Sequence, residues 1–143
     1  MFLLLRTLLW VMMAAACLIP SAPDPSVGVW TLVDGPRAKS VPRRVAVRRD
    51  GPDGWIVVTA WFPTHVERLR MRHDGQDYRV RGTPEYETVS SIRLDAQSLE
   101  AVFRKERREV RRCTWEFAAD GATCSLRCTD RTAGVYRRGE VKP

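Results

Sequence analysis

The sequence predicts an all-β, up-and-down antiparallel barrel of about 8 to 10 short strands, and three observations carry that prediction. Short segments rich in Val, Ile, Trp, Tyr and Phe recur from Gly28 onward, with almost no helical spacing between them. Asp-Gly steps at Asp50, Asp53, Asp74 and Asp120 punctuate the segments and supply the left-handed backbone that tight hairpins need. Within the segments apolar and charged residues alternate with period two, so each strand has one dry and one wet face. Such ribbons must close on themselves or pair face to face to hide their edges.

Strands are expected at 29–33, 44–49, 55–62, 66–72, 78–81, 88–94, 99–104, 109–117, 122–129 and 134–138. In the fourth, Leu69 and Met71 share one face and Arg68, Arg70 and Arg72 take the other; in the fifth, Tyr78 and Val80 oppose Arg79 and Arg81. Residues 82–84, with Gly82 and Pro84, break the chain, and Thr88 and Val89 resume it. The seventh turns Leu99, Ala101 and Phe103 inward, and the eighth turns Arg111, Cys113, Trp115 and Phe117 inward against Thr114 and Glu116. A helix over 97–112 is the competing reading, since good helix formers fill it. Val102, Phe103 and Val110 are nevertheless spaced for neither helical face, and such a helix would bury nothing.

With 143 residues, 44% of them hydrophobic, the chain forms one small domain and is too apolar to be disordered. The 24 basic residues against 17 acidic ones give a net charge of +7, carried by 21 Arg and 3 Lys. That surplus attracts anionic surfaces weakly and with strong salt dependence. Arginines also come as adjacent pairs, such as Arg43 with Arg44, which extended backbone sends to opposite faces, so no continuous basic stripe follows from spacing.

Residues 1–16 read as an export signal: one early positive charge at Arg6, an apolar run too short to span a bilayer, then Ala14, Ala15 and Ala16. Cys17 directly after that small-residue box resembles the acylated cysteine of a bacterial lipoprotein, although Ala14 stands where a leucine is usual. Residues 17–27 then form a Pro-rich tether, 28–138 the barrel and 139–143 a tail. The expected location is exported, either periplasmic or membrane-anchored, with the membrane reached only through a lipid on Cys17.

Gly28-Val29-Trp30 at the start and Val135-Tyr136-Arg137 at the end resemble the calycin pattern shared by lipocalins and fatty-acid-binding proteins. The segment 74–90 resembles a bacterial exported lipocalin-like family, in which Asp-Gly-x-x-Tyr-x-Val-x-Gly-x-Pro is followed by Thr-Val. The resemblance extends over roughly 28–138 and departs from the pattern after Val110, where Trp115 and three cysteines appear. It implies that Trp30 lies across a closed end with a late arginine, Arg137 or Arg138, packed over its ring. That family is mostly of unassigned role.

If Asp120-Gly121 forms a turn with Ala119 opposite Ala122, Cys113 falls across from Cys128, and an exported compartment favours a disulfide there. Counted from that turn the pair occupies a hydrogen-bonded position, where disulfides fit less well, and a register shift would give Cys113 with Cys124 instead. The leftover thiol is read as buried and packing as a small hydrophobe, with an intermolecular bond or a reactive thiol as the alternative.

No catalytic assembly is visible, so the chain is expected not to be an enzyme. His65 and His73 are the only histidines, each among arginines, and there is no nucleophile elbow, phosphate loop or metal-ligand cluster. No cofactor and no nucleic-acid partner are expected, and Trp55, Trp61 and Trp115 are read as core rather than as stacking platforms. Two functions remain. One is an exported carrier holding a small apolar ligand against Leu69, Met71, Tyr78, Phe103 and Trp115. The other is a filled barrel whose arginine-rich face meets anionic lipid, lipopolysaccharide or an acidic protein.

Overall fold

The computed structural model describes residues 23–36 and 38–139. The signal segment 1–16, Cys17 and most of the tail lie outside these residues. Ten strands run β1 (Gly28–Asp34), β2 (Arg44–Arg49), β3 (Ile56–Trp61), β4 (Val66–Met71), β5 (Tyr78–Arg79), β6 (Thr88–Arg93), β7 (Ser98–Lys105), β8 (Arg108–Phe117), β9 (Thr123–Cys128) and β10 (Ala133–Arg138). Among the described residues there is no helix. All pairings are antiparallel, and the sheet order is β4-β3-β2-β1-β10-β9-β8-β7-β6-β5, a meander whose first and last strands are neighbours.

Closure falls between β4 and β5. Arg68 and Arg81 exchange both backbone hydrogen bonds, at 2.9 and 3.0 Å, and bring the two ends of the sheet together. β5 is shorter than expected because the chain changes partners there: Tyr78 and Arg79 pair with β6, whereas Arg81 has already crossed to β4. The barrel is therefore nearly closed, and the seam is its narrowest join.

The region with helix-forming composition is a hairpin. β7 and β8 turn through Glu106 and Arg107, both at positive φ (50° and 65°), between the paired Lys105 and Arg108. This is a two-residue turn of the kind glycine and asparagine usually supply, which is why its sequence carries no turn signal.

Partners on β8 and β9 run from Cys113 opposite Cys128 to Phe117 opposite Cys124, the expected register. Cys113 and Cys128 form the disulfide, with Cα atoms 4.0 Å apart. The hydrogen-bond phase corrects the expectation. Ala118 N–H donates to Thr123 and Thr129 N–H donates to Arg112, so alternate positions counted between them leave Cys113 and Cys128 at a non-hydrogen-bonded pair. The loop has four residues rather than two, which reverses the phase and puts the cysteines where cross-strand side chains approach most closely. Pairing of Cys113 with Cys124 is excluded; Cys124 is free and buried, and burial pushes its thiol up to about 12, leaving it inert at neutral pH.

Trp115 lies in the core, but Trp55 and Trp61 do not. On β3, Ile56, Val58 and Ala60 point inward, which turns Trp61 outward beneath Arg44 (4.9 Å from guanidinium to ring centroid). Trp55 is likewise covered by Arg70 (4.0 Å) and Arg72 (5.4 Å). Cation–π contact and the arginine stems shield these rings from water, so an outer tryptophan needs no core position here. Much of the outer arginine is also matched by acids, as in Arg70 with Asp50, Arg104 with Asp77 and Arg112 with Glu100 and Glu109.

A cavity between a latched floor and a polar mouth

The two ends of the barrel differ. At one end Trp30, 2% exposed, lies across the interior against Phe117 (5.3 Å between centroids) and donates its indole N–H to Ser26 O at 2.9 Å. Arg138 also stacks on that ring, 4.5 Å from its centroid. Its guanidinium also donates to Gly121 O (2.7 Å), Val27 O (2.5 Å) and Pro25 O (3.2 Å), tying the β8–β9 loop and the N-terminal segment to the floor. Arg137 is not the stacking residue. Register decides it: Arg138 sits directly opposite Trp30 on β10 and shares its face, whereas Arg137 pairs with Thr31 on the other face. Gly28 has a structural reason in the same contact. Its φ is +145°, and a Cβ there would lie 2.4 Å from the Arg138 guanidinium.

The expected tether of 17–27 is corrected at its C-terminal end. Residues 23–27 pack under the barrel as part of the floor. Asp24 is the pin: its Oδ2 accepts from His73 Nε2 at 3.0 Å, and its Oδ1 accepts from the backbone N–H and hydroxyl of Ser26. His73 Nδ1 in turn meets Ser91 Oγ at 2.9 Å. Asp24, rather than the neighbouring Asp74 or Asp77, thus orients this histidine. Ser91 lies mid-strand in β6 and lacks the sharp turn that exposes a hydrolytic serine. The serine–histidine–aspartate chain joins the N-terminal segment to the barrel wall.

Burial opposes ionisation of Asp24, but hydrogen bonds from His73 and Ser26 outweigh it and hold the carboxyl at about 2, against an ordinary 3.8. A lowered folded-state value means that this contact stabilises fully above pH 3.8 and loses its contribution as pH falls through about 2. Discounted for partial exposure to water, the effect is on the order of 1 kcal/mol. Urea unfolding of wild type and Asp24→Asn should therefore differ at pH 6 and converge towards pH 2.

Between floor and mouth lies an interior cavity of about 140 Å³. Leu69, Met71, Phe103 and Trp115 line it, and Ala101 and Ser91 supply the small side chains that leave it open. Tyr78 does not line it. At the start of the two-residue β5 its hydroxyl donates to Asp74 Oδ2 (2.7 Å), and its half-buried ring packs against the core and meets Trp55 edge-on (5.6 Å). A second, wider recess of about 490 Å³ lies outside the floor, where Arg49, Arg72 and Arg93 interleave with Asp24, Asp53 and Asp74, so it carries no single charge sign.

The mouth carries the polar chemistry. Glu67, 6% exposed, faces the cavity with both carboxylate oxygens engaged: His65 Nε2 donates to Oε2 at 2.6 Å and the Tyr86 hydroxyl donates to Oε1. His65 is positioned by stacking on Phe62 (4.6 Å, 6° between planes) across the β3–β4 turn. Burial pushes the Glu67 carboxyl above its ordinary range, against the opposing pull of His65 and Arg111. Arg111 lies over the rings of Tyr86 and Phe103, and its Nε is ion-paired with Asp130 at 2.8 Å. Tyr136, wholly buried, donates to Pro42 O at 2.6 Å and draws the β1–β2 loop down beside this end.

Sequence reasoning missed Glu67 and Tyr86. Extending the alternation of Leu69 and Met71 two residues back reaches Glu67, so its inward face was legible from period two. Tyr86 follows the strand break and had no such signal. Among the described residues no group of three or more potential ligands could hold a metal ion. No protein-family model matches the chain, and no curated protein matches it.

Proposed function

We propose that this protein is an exported, non-catalytic, lipocalin-like barrel that holds a small apolar molecule in its interior. The observation that carries the reading is the cavity of about 140 Å³, walled by Leu69, Met71, Phe103 and Trp115 and closed below by Trp30. An apolar cavity of about that size in another protein holds benzene, which sets the occupant at one ring or a few carbons rather than a long acyl chain. The Cys113–Cys128 disulfide fits an oxidising compartment. Acylation of Cys17 belongs to the same reading: from Cys17 to Pro23 the chain reaches at most about 20 Å, so a lipid there would keep the floor towards the membrane and the mouth away from it.

The test is a toluene titration followed by thermal unfolding and tryptophan fluorescence. A ligand that binds only the folded state stabilises it by about 2.7 kcal/mol at a hundredfold excess over Kd. Toluene should raise Tm in a saturable way and perturb Trp115. Ala101→Leu, which fills the cavity, should abolish both effects while the variant still melts cooperatively. A folded wild type whose Tm does not respond to toluene would contradict the reading and leave the arginine-rich outer face as the alternative, tested by salt-dependent binding to anionic vesicles.

A further inference from the structure

The polar groups that border the cavity have unequal spare capacity, and this difference defines what else an occupant should carry. Ser91 Oγ is engaged by His73, and the Tyr86 hydroxyl donates its hydrogen bond to Glu67. The Arg111 guanidinium spans the Tyr86 and Phe103 rings and is drawn towards Asp130 (2.8 Å) and Glu85 (3.8 Å) at the rim. Glu67 differs: a carboxylate offers about four lone-pair sites, and its two protein donors, His65 and Tyr86, occupy one on each oxygen. Glu67 therefore keeps unused capacity for accepting hydrogen bonds at the boundary between the apolar interior and the mouth, while Arg111, paired through Nε with Asp130, keeps donors of its own at the rim.

We infer that the cavity selects ring-sized apolar molecules carrying one hydrogen-bond donor, a phenol-like or alcohol-like head placed on Glu67. The inference rests on the apolar-cavity reading above and adds to it the chemistry of the head group. His65 and Tyr86 hold the carboxylate in place before a ligand arrives, so the ligand does not have to order it. The ring would lie towards Phe103 and Trp115, with the donor pointing to the mouth. A carboxylate-headed ligand would be repelled by Glu67 and would have to compete with Asp130 for Arg111.

Phenol, toluene and benzoate, titrated into the purified protein with Tm and tryptophan fluorescence as readouts, test the inference. Phenol is expected to bind at least about tenfold more tightly than toluene, the order of one hydrogen bond to a charged acceptor, and benzoate most weakly. Glu67→Gln should bring phenol to within about threefold of toluene while leaving toluene binding unchanged. Tyr86→Phe, which frees Oε1, should hold or raise the preference for phenol. Equal affinity for phenol and toluene would overturn the inference and leave the apolar reading intact. Tightest binding by benzoate would overturn it in favour of Arg111 as anchor, and failure of all three would remove the cavity reading as well.

Discussion

Trp30→Ala is expected to destabilise the domain by about 3–5 kcal/mol, the usual cost of truncating a buried aromatic. The loss exceeds the buried area of one indole because the ring organises the floor. Its N–H holds Ser26, and the ring packs on Phe117 and supports Arg138, which in turn holds Pro25 and Val27. Removal leaves Arg138 without its stacking surface and unpins the N-terminal segment. The midpoint of urea unfolding should fall accordingly, and Arg137→Ala, on the outer face, should shift it by less than about 0.5 kcal/mol. Similar small effects for both substitutions would mean that the floor is not built on this ring.

Gly82→Ala should be nearly as damaging, at about 3 kcal/mol or more, for a different physical reason. Gly82 sits at φ +101°, next to the Arg81 bridge that closes the barrel, and an added Cβ would lie 2.0 Å from the carbonyl oxygen of Val66. Backbone cannot give way as a flexible side chain can, so relief requires β4 and β5 to part. Gly51→Ala is the control, because Gly51 shares a positive φ of +85° but has nothing within 4 Å of the added carbon. Its cost should be limited to backbone strain, about 1 kcal/mol. Equal losses in the two variants would show that strain, not the seam, sets the Gly82 effect.

The contrast between these sites and the rest of the chain explains what was legible. Period-two alternation gave the inward faces of β4, β7 and β8 almost residue by residue, because burial on one side leaves only one workable pattern. The Asp120-Gly121 step located the β8–β9 hairpin and its register, but not whether the loop held two or four residues, and that alone reverses the hydrogen-bond phase at Cys113. The β7–β8 turn was invisible because Glu106 and Arg107 adopt a backbone their residue types rarely choose. Contacts between distant segments had no local trace at all. The Asp24–His73 contact joins residues 49 apart, and the choice of Arg138 over Arg137 depends on how β10 registers against β1. Glu67 lies between these cases, since the pattern predicts its direction but not its partners Tyr86 and His65.

The whole account stands on a nearly closed wall around an interior cavity, and the narrowest point of that wall is the pair Arg68 and Arg81. Native-state hydrogen exchange at those two amides tests closure most directly. The account predicts protection well above that of loop amides and lost together with the protection of the flanking strands under denaturant. Exchange of both amides at the rate of exposed loops, with the β2–β3 and β8–β9 ladders still protected, would mean an open sheet and no enclosed cavity.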